Sequence, residues 1–471
     1  MTINSVVFVF GFMPLLLIAY YAVSFLGGGT TLKKILLLAA SILFYAWTAF
    51  EYLPLLLGIV VINYLAALHI KKLENSRKKA LLAAAVTLNV FVLFFYKYFD
   101  FFGNSLSCQL GFEFQEMGLV QPLGISFFTF SQISYLVDVY RETVNADKNL
   151  LNVALWSCFF PKITSGPIVR YADMNFDGEP SGKVNLESLA YGARRFVIGL
   201  GKKTIIADSL GIVVDSIFTA QATTGVDTPT AWLGILCYTL QIFFDFSGYS
   251  DMAIGLAAMF GYRFKENFLY PYTSLTLGEF WHRWHISLSS WLRDYLYFPL
   301  GGSRRGNVYV NLMIVMLVSG LWHGADWHYV IWGAWYGFFM IIDRLYRLRK
   351  DKVHIPKAVL WFATIMIVVI GWVFFRSADI AQSLTYIAAL FGGGVFGAQF
   401  HGFGYYFNAQ LVFLMAVGIL CSTPIFSRMR EKFEETPAWN VVRLVGIPLL
   451  FAISVLYMVN STYSPFLYAQ F

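Results

Sequence analysis

Apolar residues occur along this chain in long runs, and short charged segments separate the runs. An α-helix crosses the hydrocarbon core of a bilayer with about 20 consecutive, mostly apolar residues. Because such runs recur from one end of the chain to the other, the pattern predicts an all-α polytopic membrane protein. Several middle runs are short or interrupted by glycine, so we expect about 11–13 membrane-embedded helices. Their predicted starts are Val6, Leu32, Leu53, Ala80, Val153, Leu189, Trp232, Val308, Tyr329, Val359, Leu411 and Val441.

The composition agrees with this pattern. Hydrophobic residues make up 58% of the 471 residues and charged residues 13%, whereas an average soluble domain is about 25% charged. No segment has the composition of a soluble domain, so we expect one membrane domain, residues 1–471. The first apolar run follows "MTINS", which carries no Lys or Arg. This favours a retained helix over a signal peptide that is removed.

The positions of Lys and Arg predict orientation, because short cytoplasmic loops are rich in these residues. We expect the basic clusters to be cytoplasmic, which places both termini on the extracytoplasmic side. Segments 222–230 and 376–408 carry few basic residues and are expected on the outer face. The net charge of +7 then reflects topology, and we expect no nucleic acid partner. The clusters are Lys33 and Lys34, Lys71 to Lys79, Arg304 and Arg305, Arg344 to Lys352, and Arg428 to Lys432.

Cysteine and histidine spacing does not predict a metal site. The four cysteines are scattered without a C-x-x-C pair, which also argues against a disulfide framework. His282 and His285 have i, i+3 spacing, but no third Cys, His or carboxylate lies in an obvious frame beside them. We therefore expect no bound metal.

Candidate chemistry is concentrated in residues 245–328, which hold four of the seven histidines. Ionisable groups at membrane depth are costly and indicate a functional site. If "EFWHRWHISLSSWLRD" forms one helix, steps of about 100° separate an apolar face from a polar face. The apolar face holds Trp281, Trp284, Leu288 and Trp291, and the polar face holds His282, His285, Ser289 and Arg293. The polar face then lines a cavity, or the helix lies at the membrane interface.

His323 lies in "SGLWHGADWH", where small residues separate two apolar runs. We expect a helix to end or kink there. An imidazole has an unperturbed pKa near 6.5, so a neutral His323 can accept a proton at ordinary pH. The alternative is a structural histidine that caps the broken helix.

Polar groups upstream favour a structural interpretation. Asp245, Tyr249 and Asp251 in "DFSGYSD" lie in or next to a spanning run, and we expect them to pair with basic residues and hold kinked helices together. Direct catalysis is the alternative. "PKITSGPIVR", at 161–170, predicts a broken or re-entrant element. The expected basic partners are Arg263, Lys265, Arg283, Arg293, Arg304 and Arg305.

Together, "DFSGYSDMAIG", "RWHISLSSWLRDYLYFPLGG" and "LWHG" resemble the motifs of the membrane-bound O-acyltransferase (MBOAT) family. The chain is most similar to the branch of the alginate, peptidoglycan and cellulose O-acetylation proteins and the teichoic acid D-alanyl transfer protein. The resemblance implies a helical shell around a thin central tunnel, in the bacterial cytoplasmic (inner) membrane. It implies a family core at about residues 122–347, with N-terminal helices at 5–100 and C-terminal helices at 355–460.

The resemblance also implies site residues. The "WHG" histidine is the near-invariant catalytic residue of the family, so His323 is expected to act as the general base. The "WHISLS" histidine faces the same tunnel, so His285 is expected to assist. Further residues expected along the tunnel are His282, Ser289, Arg293, Asp245, Tyr249 and Asp251.

The implied reaction is acetyl transfer from a cytoplasmic thioester, either acetyl-CoA or an acylated carrier protein, with no permanently bound cofactor. The expected acceptor is an extracytoplasmic envelope polysaccharide of the alginate, peptidoglycan or cellulose type, reached through an esterase-like (SGNH-type) partner. Because the chain continues for more than a hundred residues past His323, it resembles the O-acetylation proteins more than the shorter D-alanyl branch. D-alanyl transfer to teichoic acid is the alternative.

Two alternatives come from other functional classes. Intramembrane His and Asp also suit a proton-coupled transporter, but that class predicts inverted repeats, and no matching half is visible in the sequence. A pure interaction or assembly protein leaves both histidine motifs unexplained.

The C-terminal tail, residues 461–471, ends in "SPFLYAQF". It resembles the F-x-Y-x-x-F ending of a small peptide in the D-alanyl system, whose tyrosine is thought to carry the acyl group. The resemblance implies that Phe466 and Phe471 anchor the tail in the outer funnel and that Tyr468 receives the acyl group from the site of His323. The alternative is an aromatic belt at the end of the last helix.

Overall fold

The computed structural model describes residues 1–174, 176, 185–349, 354–394, 397 and 401–460. Every regular element in these residues is a helix, which confirms the all-α prediction. The α-helices are α1 (Met13–Phe25), α2 (Thr30–Ala49), α3 (Leu53–Lys72), α4 (Asn75–Lys97), α5 (Phe99–Leu110), α6 (Ile125–Tyr140), α7 (Leu150–Cys158), α8 (Phe160–Ile163), α9 (Leu186–Gly201), α10 (Asp208–Thr223), α11 (Thr228–Met259), α12 (Leu277–Arg283), α13 (Ile286–Leu292), α14 (Val308–His323), α15 (Trp327–Arg349), α16 (Lys357–Arg376), α17 (Ile380–Leu390), α18 (Phe403–Tyr406), α19 (Ala409–Cys421), α20 (Ile425–Phe433) and α21 (Pro437–Asn460).

Six helical stretches of the described chain have the length and hydropathy of membrane spans, which confirms a polytopic membrane protein. A bent pair, α19 and α20, adds a seventh if it forms one span. The expectation of about 11–13 membrane-embedded helices and the orientation of the termini stay predictions. The six stretches are Phe8–Phe25, Thr30–Lys72, Asn75–Lys97, Thr228–Met259, Lys357–Arg376 and Pro437–Asn460.

The helix predicted to begin near Val153 is too short to span a bilayer. α7 has nine residues, and at Phe159 the backbone leaves the helical conformation (φ −54°, ψ 115°) before the four-residue α8. The break adjoins Pro161, which lacks the N–H that a continuous helix requires. Within "PKITSGPIVR", α8 ends at Ile163 and residues 164–170 form no regular helix, which agrees with the broken element predicted there.

Contacts between Cα atoms divide the described chain into two units. Among the described residues, the first contains Met1–Phe196 and Tyr249–Glu266, and the second contains Val197–Gly248 and the chain from Asn267 to Asn460. The polypeptide passes between the units within α9, within α11 and between Glu266 and Asn267. The single membrane domain and its internal boundaries stay predictions.

Polar pairs join elements in the first unit, and the pair of asparagines among them is buried. The amides of Asn63 in α3 and Asn89 in α4 exchange two hydrogen bonds, of 3.1 and 2.7 Å. Arg195, at the end of the unit's part of α9, lies 2.7 Å from Asp251 of α11 and 2.5 Å from Glu266. Because unpaired polar groups are costly away from water, these contacts fix which helix faces meet.

The second unit is built around a close hairpin of α14 and α15. A Cβ added to Gly320 would lie 2.2 Å from the carbonyl oxygen of Tyr329, and one added to Gly333 would lie 2.5 Å from that of Met316. Only glycine permits such close backbone approach, which is a common way for helices to associate in membranes. The hairpin holds the end of α14, and with it His323, in a fixed position.

Candidate functional site

The segment predicted as one amphipathic helix is broken in the middle, so that prediction was wrong. α12 ends at Arg283 and α13 begins at Ile286. Trp284 is extended, and His285 has a left-handed backbone (φ 44°, ψ 55°). A non-glycine residue in this conformation is strained, and such residues concentrate at functional sites.

A neighbouring segment forms the hydrogen bonds that the broken helix loses. The N–H of Leu269 donates to the carbonyl oxygen of Arg283 (2.9 Å), and the N–H of Ile286 donates to that of Asn267 (2.9 Å). The side-chain oxygen of Asn267 accepts a bond from the N–H of Ser287 (3.0 Å). These long-range contacts stabilise the break, and helical periodicity does not reveal them.

Asn267 also contacts the His285 ring. Its Oδ1 lies 3.3 Å from His285 Nδ1, and both residues are buried. Because this oxygen already accepts from Ser287, its contact with the ring favours a proton on Nδ1 and a lone pair on Nε2. His285 lies outside the six spanning stretches, and burial lowers the pKa of its imidazole to about 3. The ring is therefore neutral at ordinary pH.

His323 is the last residue of α14, next to the break that the sequence predicted. Its side chain is buried at 2% exposure. Its ring centroid lies 5.0 Å from Trp332, 5.0 Å from Phe375 and 4.9 Å from Trp322. These aromatic rings hold the imidazole in apolar surroundings.

Trp322 connects the two histidines. Its ring centroid lies 5.9 Å from that of His285 and 4.9 Å from that of His323. Phe246 packs against His285 from another direction, at 4.6 Å. His285 and His323 therefore both lie beside Trp322 in the second unit. Their separation along the sequence does not predict this proximity.

Both histidines line one cavity of about 320 Å³. This volume falls within the range of small-molecule sites. His282, Ser289 and Arg293, predicted along the tunnel, also lie in its wall. The α14 part of the wall runs from Leu312 to His323, which is about 16 Å at the helical rise. Other lining residues include Gly278, Trp281, Trp284, Leu288, Met316, Ser319 and Met340.

Three arginines, Arg293, Arg344 and Arg347, also line the cavity. Arg293 pairs with Asp294 at 2.8 Å, and Arg347 pairs with Asp343 at 3.0 Å. Among the residues that the structure describes, Arg344 has no ion pair. Arg344 and Arg347 were interpreted from the sequence as topology signals alone, and their place in this wall was missed.

The DFSGYSD carboxylates have other partners than expected. Lys203 Nζ lies 2.6 Å from Asp245 and 2.6 Å from Asp208, and Asp251 pairs with Arg195. Tyr249 bonds to Thr164. The expected partners bind elsewhere: Lys265 pairs with Asp173 and Arg283 with Glu279.

The physical reason for these pairings is helix packing. α9 and the π-helix that follows it, Lys202–Ala207, run beside α11, so Arg195 and Lys203 meet its carboxylates. Spacing along the sequence does not encode this. The remaining predicted residues, Phe466, Tyr468 and Phe471, lie outside the described residues.

Comparisons with known proteins give similarities over the whole chain. The family described as "MBOAT, membrane-bound O-acyltransferase family" matches residues 141–388. The "Probable alginate O-acetylase AlgI" of Pseudomonas putida is 39% identical over 500 residues, covering 100% of both chains. The "Peptidoglycan O-acetyltransferase" of Helicobacter pylori is 36% identical, covering 83% of this chain and 79% of its own. The "Teichoic acid D-alanyltransferase" of Streptococcus thermophilus is 32% identical, covering 50% and 59%.

Proposed function

Because this chain belongs to the membrane-bound O-acyltransferase family, we propose that it transfers acetyl groups to an envelope polysaccharide of the alginate or peptidoglycan type. The donor is a cytoplasmic thioester, acetyl-CoA or an acylated carrier protein, and the location is a bacterial inner membrane. Family membership favours an enzyme over a proton-coupled transporter. Relatives named for acetyl transfer align with 83% to 100% of the chain, and the D-alanyl relative with 50%, which favours acetyl over D-alanyl.

The observation that carries the proposal is that His285 and His323 line one cavity. His323 acts as general base and takes the proton of the attacking hydroxyl. The hydroxyl oxygen forms a bond to the thioester carbonyl carbon, and the C–S bond breaks. The proton then passes from His323 to the leaving thiolate. General-base assistance of this kind contributes about 10²- to 10⁴-fold.

His285 orients the acceptor. With its proton on Nδ1 towards Asn267, its Nε2 lone pair accepts a hydrogen bond from a second O–H or N–H group of the acceptor, beside the attacking hydroxyl, whose own proton goes to His323. Burial lowers the pKa of this ring, which favours its neutral form as the hydrogen-bond acceptor. Ser289 donates to the carbonyl oxygen of Trp284 at 3.2 Å, a contact that suits a structural residue of the wall more than an oxyanion donor.

The arginines of the cavity wall attract the phosphate groups of the donor. Arg344 is best suited because it has no ion pair among the described residues, whereas Arg293 and Arg347 are each paired with a carboxylate. All three are expected on the cytoplasmic side. A donor whose thioester is carried on an extended arm fits the length of wall between Leu312 and His323.

Tyr468 serves as the first acyl acceptor, and an extracytoplasmic SGNH-type partner takes the group onward to the polysaccharide. The support is the F-x-Y-x-x-F pattern of Phe466, Tyr468 and Phe471. Mass spectrometry of tail peptides after incubation with donor tests this step. Added acetyl mass on Tyr468 is expected. Undiminished acetyl export in Tyr468→Phe, relative to the matched Tyr463→Phe variant, contradicts it.

The proposed function is tested by counting O-acetyl groups on exported polymer in cells that carry His323→Gln. Loss of these groups is expected, with normal amounts of folded protein. His401→Gln is the matched control, because that histidine is exposed and stacks on Tyr405 away from the cavity. Full acetylation in His323→Gln contradicts the proposal. D-alanyl groups in place of acetyl groups on the polymer would favour the alternative, D-alanyl transfer.

A further inference from the structure

The short helix α20 departs from the direction of the helix before it. α19 ends at Cys421, and α20, Ile425–Phe433, is bent by 62° from it after Pro424. Three basic residues and one glutamate occur among its nine residues. Charged residues are costly in the hydrocarbon core, so α20 is unsuited to continue the apolar course of α19 through a bilayer.

The side chains of α20 separate into two faces. At about 100° per residue, the apolar residues share one arc of the helix. Arg428 and Lys432 border this arc on one side and Arg430 borders it on the other, while Glu431 lies opposite. The apolar residues are Ile425, Phe426, Met429 and Phe433.

The apolar arc is only partly covered by the described protein. Each of its four side chains is between 39% and 50% exposed. The next helix, α21, is also little covered, with 6% of its apolar window buried. α20 therefore sits at the periphery of its unit, where lipid is the expected neighbour of both helices.

We propose that α20 lies in the membrane interface and binds the anionic phospholipid headgroups of the leaflet expected to be cytoplasmic. The apolar arc enters the boundary between headgroups and acyl chains, and the flanking basic residues contact lipid phosphates. This arrangement is typical of interfacial helices with a basic polar face. Each basic residue near an anionic surface contributes about a fivefold preference. The site is independent of the cavity that holds His323.

Cysteine accessibility in the full-length protein tests the placement. Ser427→Cys on the polar face and Met429→Cys on the apolar arc are made with Cys108 and Cys421, the two cysteines that are not buried, replaced by serine. Both are reacted with a membrane-impermeant maleimide in nanodiscs of zwitterionic lipid, with and without phosphatidylglycerol. With phosphatidylglycerol, position 427 is expected to react about tenfold faster than 429.

Two charge variants make the test specific. The quantity compared is the ratio of the maleimide reaction rate at position 427 to that at position 429. Replacing Arg428, Arg430 and Lys432 with glutamine is expected to return this ratio to its value without phosphatidylglycerol. Replacing three exposed basic residues at the junction of α3 and α4, Lys72, Arg77 and Lys79, with glutamine is the matched control and leaves this ratio unchanged. A ratio that does not depend on lipid charge overturns the proposal. Equal protection of position 429 in detergent also overturns the proposal, because protection without a bilayer indicates that protein covers this position.

Discussion

Two buried clusters of ionisable residues in the described part of the chain differ in what surrounds them. His285 and His323 line a cavity and contact neutral groups, namely the Asn267 amide and aromatic rings. Lys203, by contrast, lies 2.6 Å from each of two carboxylates, those of Asp208 and Asp245. The same sequence signal, a titratable residue in an apolar neighbourhood, thus has two physical outcomes.

The difference lies in what compensates the burial. In the Lys203 cluster each charge is stabilised by an opposite charge, so the group joins the π-helix, α10 and α11. In the histidine site burial keeps the His285 ring neutral, and the space beside it can hold a reactant. The first arrangement is expected to serve stability and the second to serve chemistry, and variants can separate these roles.

The largest expected effect is on stability. Lys203→Met leaves two buried carboxylates without their cation, which typically costs about 3–5 kcal/mol. We expect a large fall in the thermal midpoint of the purified protein and poor accumulation in the membrane. The triple variant Lys203→Met, Asp208→Asn, Asp245→Asn removes the charges together and should recover most of the midpoint. A normal midpoint in Lys203→Met would contradict the structural role.

His285→Ala is expected to affect chemistry instead. Loss of the group that orients the acceptor should lower the rate of acyl transfer by about 100-fold, since small misplacements of reactants have effects of this size. Acyl transfer by purified protein in proteoliposomes measures the rate, and the thermal midpoint reports folding. A fall in the thermal midpoint as large as that of Lys203→Met would show that His285 has a structural role like that of Lys203.

A smaller and pH-dependent effect is expected at Asn267. In Asn267→Asp a carboxylate faces the His285 ring, favours the imidazolium and raises its pKa from about 3. The pKa of the His285 imidazole, followed by NMR titration of the labelled ring, should rise by about one to three units. Because the neutral ring is the active form, protonation of His285 lowers activity only where the pH falls through this raised pKa. Asn267→Ala is the control, and an identical His285 titration in Asn267→Asp and the parent excludes the contact.

The smallest expected effect concerns the donor. Arg344→Gln should raise KM for the thioester about twofold to fivefold, with kcat unchanged, because a single partly solvent-exposed charge contact is lost. High salt should reduce the difference, since screening weakens such contacts. Arg349→Gln on the same helix is the matched control, because Arg349 is not part of the cavity wall. An unchanged KM at low salt would remove Arg344 from the donor site.

Local signals predicted much of this architecture. Apolar runs predicted the spanning helices, and the small residues after His323 predicted the end of α14. The break at Trp284 and His285 was not predictable, because bonds from Asn267 and Leu269 stabilise it. The partners of Asp245 and Asp251 likewise depend on packing of α9 and the adjoining π-helix along α11. The place of Arg344 in the cavity wall was missed, because the positive-inside rule already explained the basic cluster to which this residue belongs.

The central claim is that the cavity shared by His285 and His323 performs acyl transfer. The most direct measurement is single-turnover transfer from radiolabelled acetyl-CoA, or an acetylated carrier protein, by purified protein in proteoliposomes. The account predicts that His323→Gln slows transfer by about 10²- to 10⁴-fold while the thermal midpoint stays that of the parent. Transfer at the parent rate in folded His323→Gln protein would contradict it.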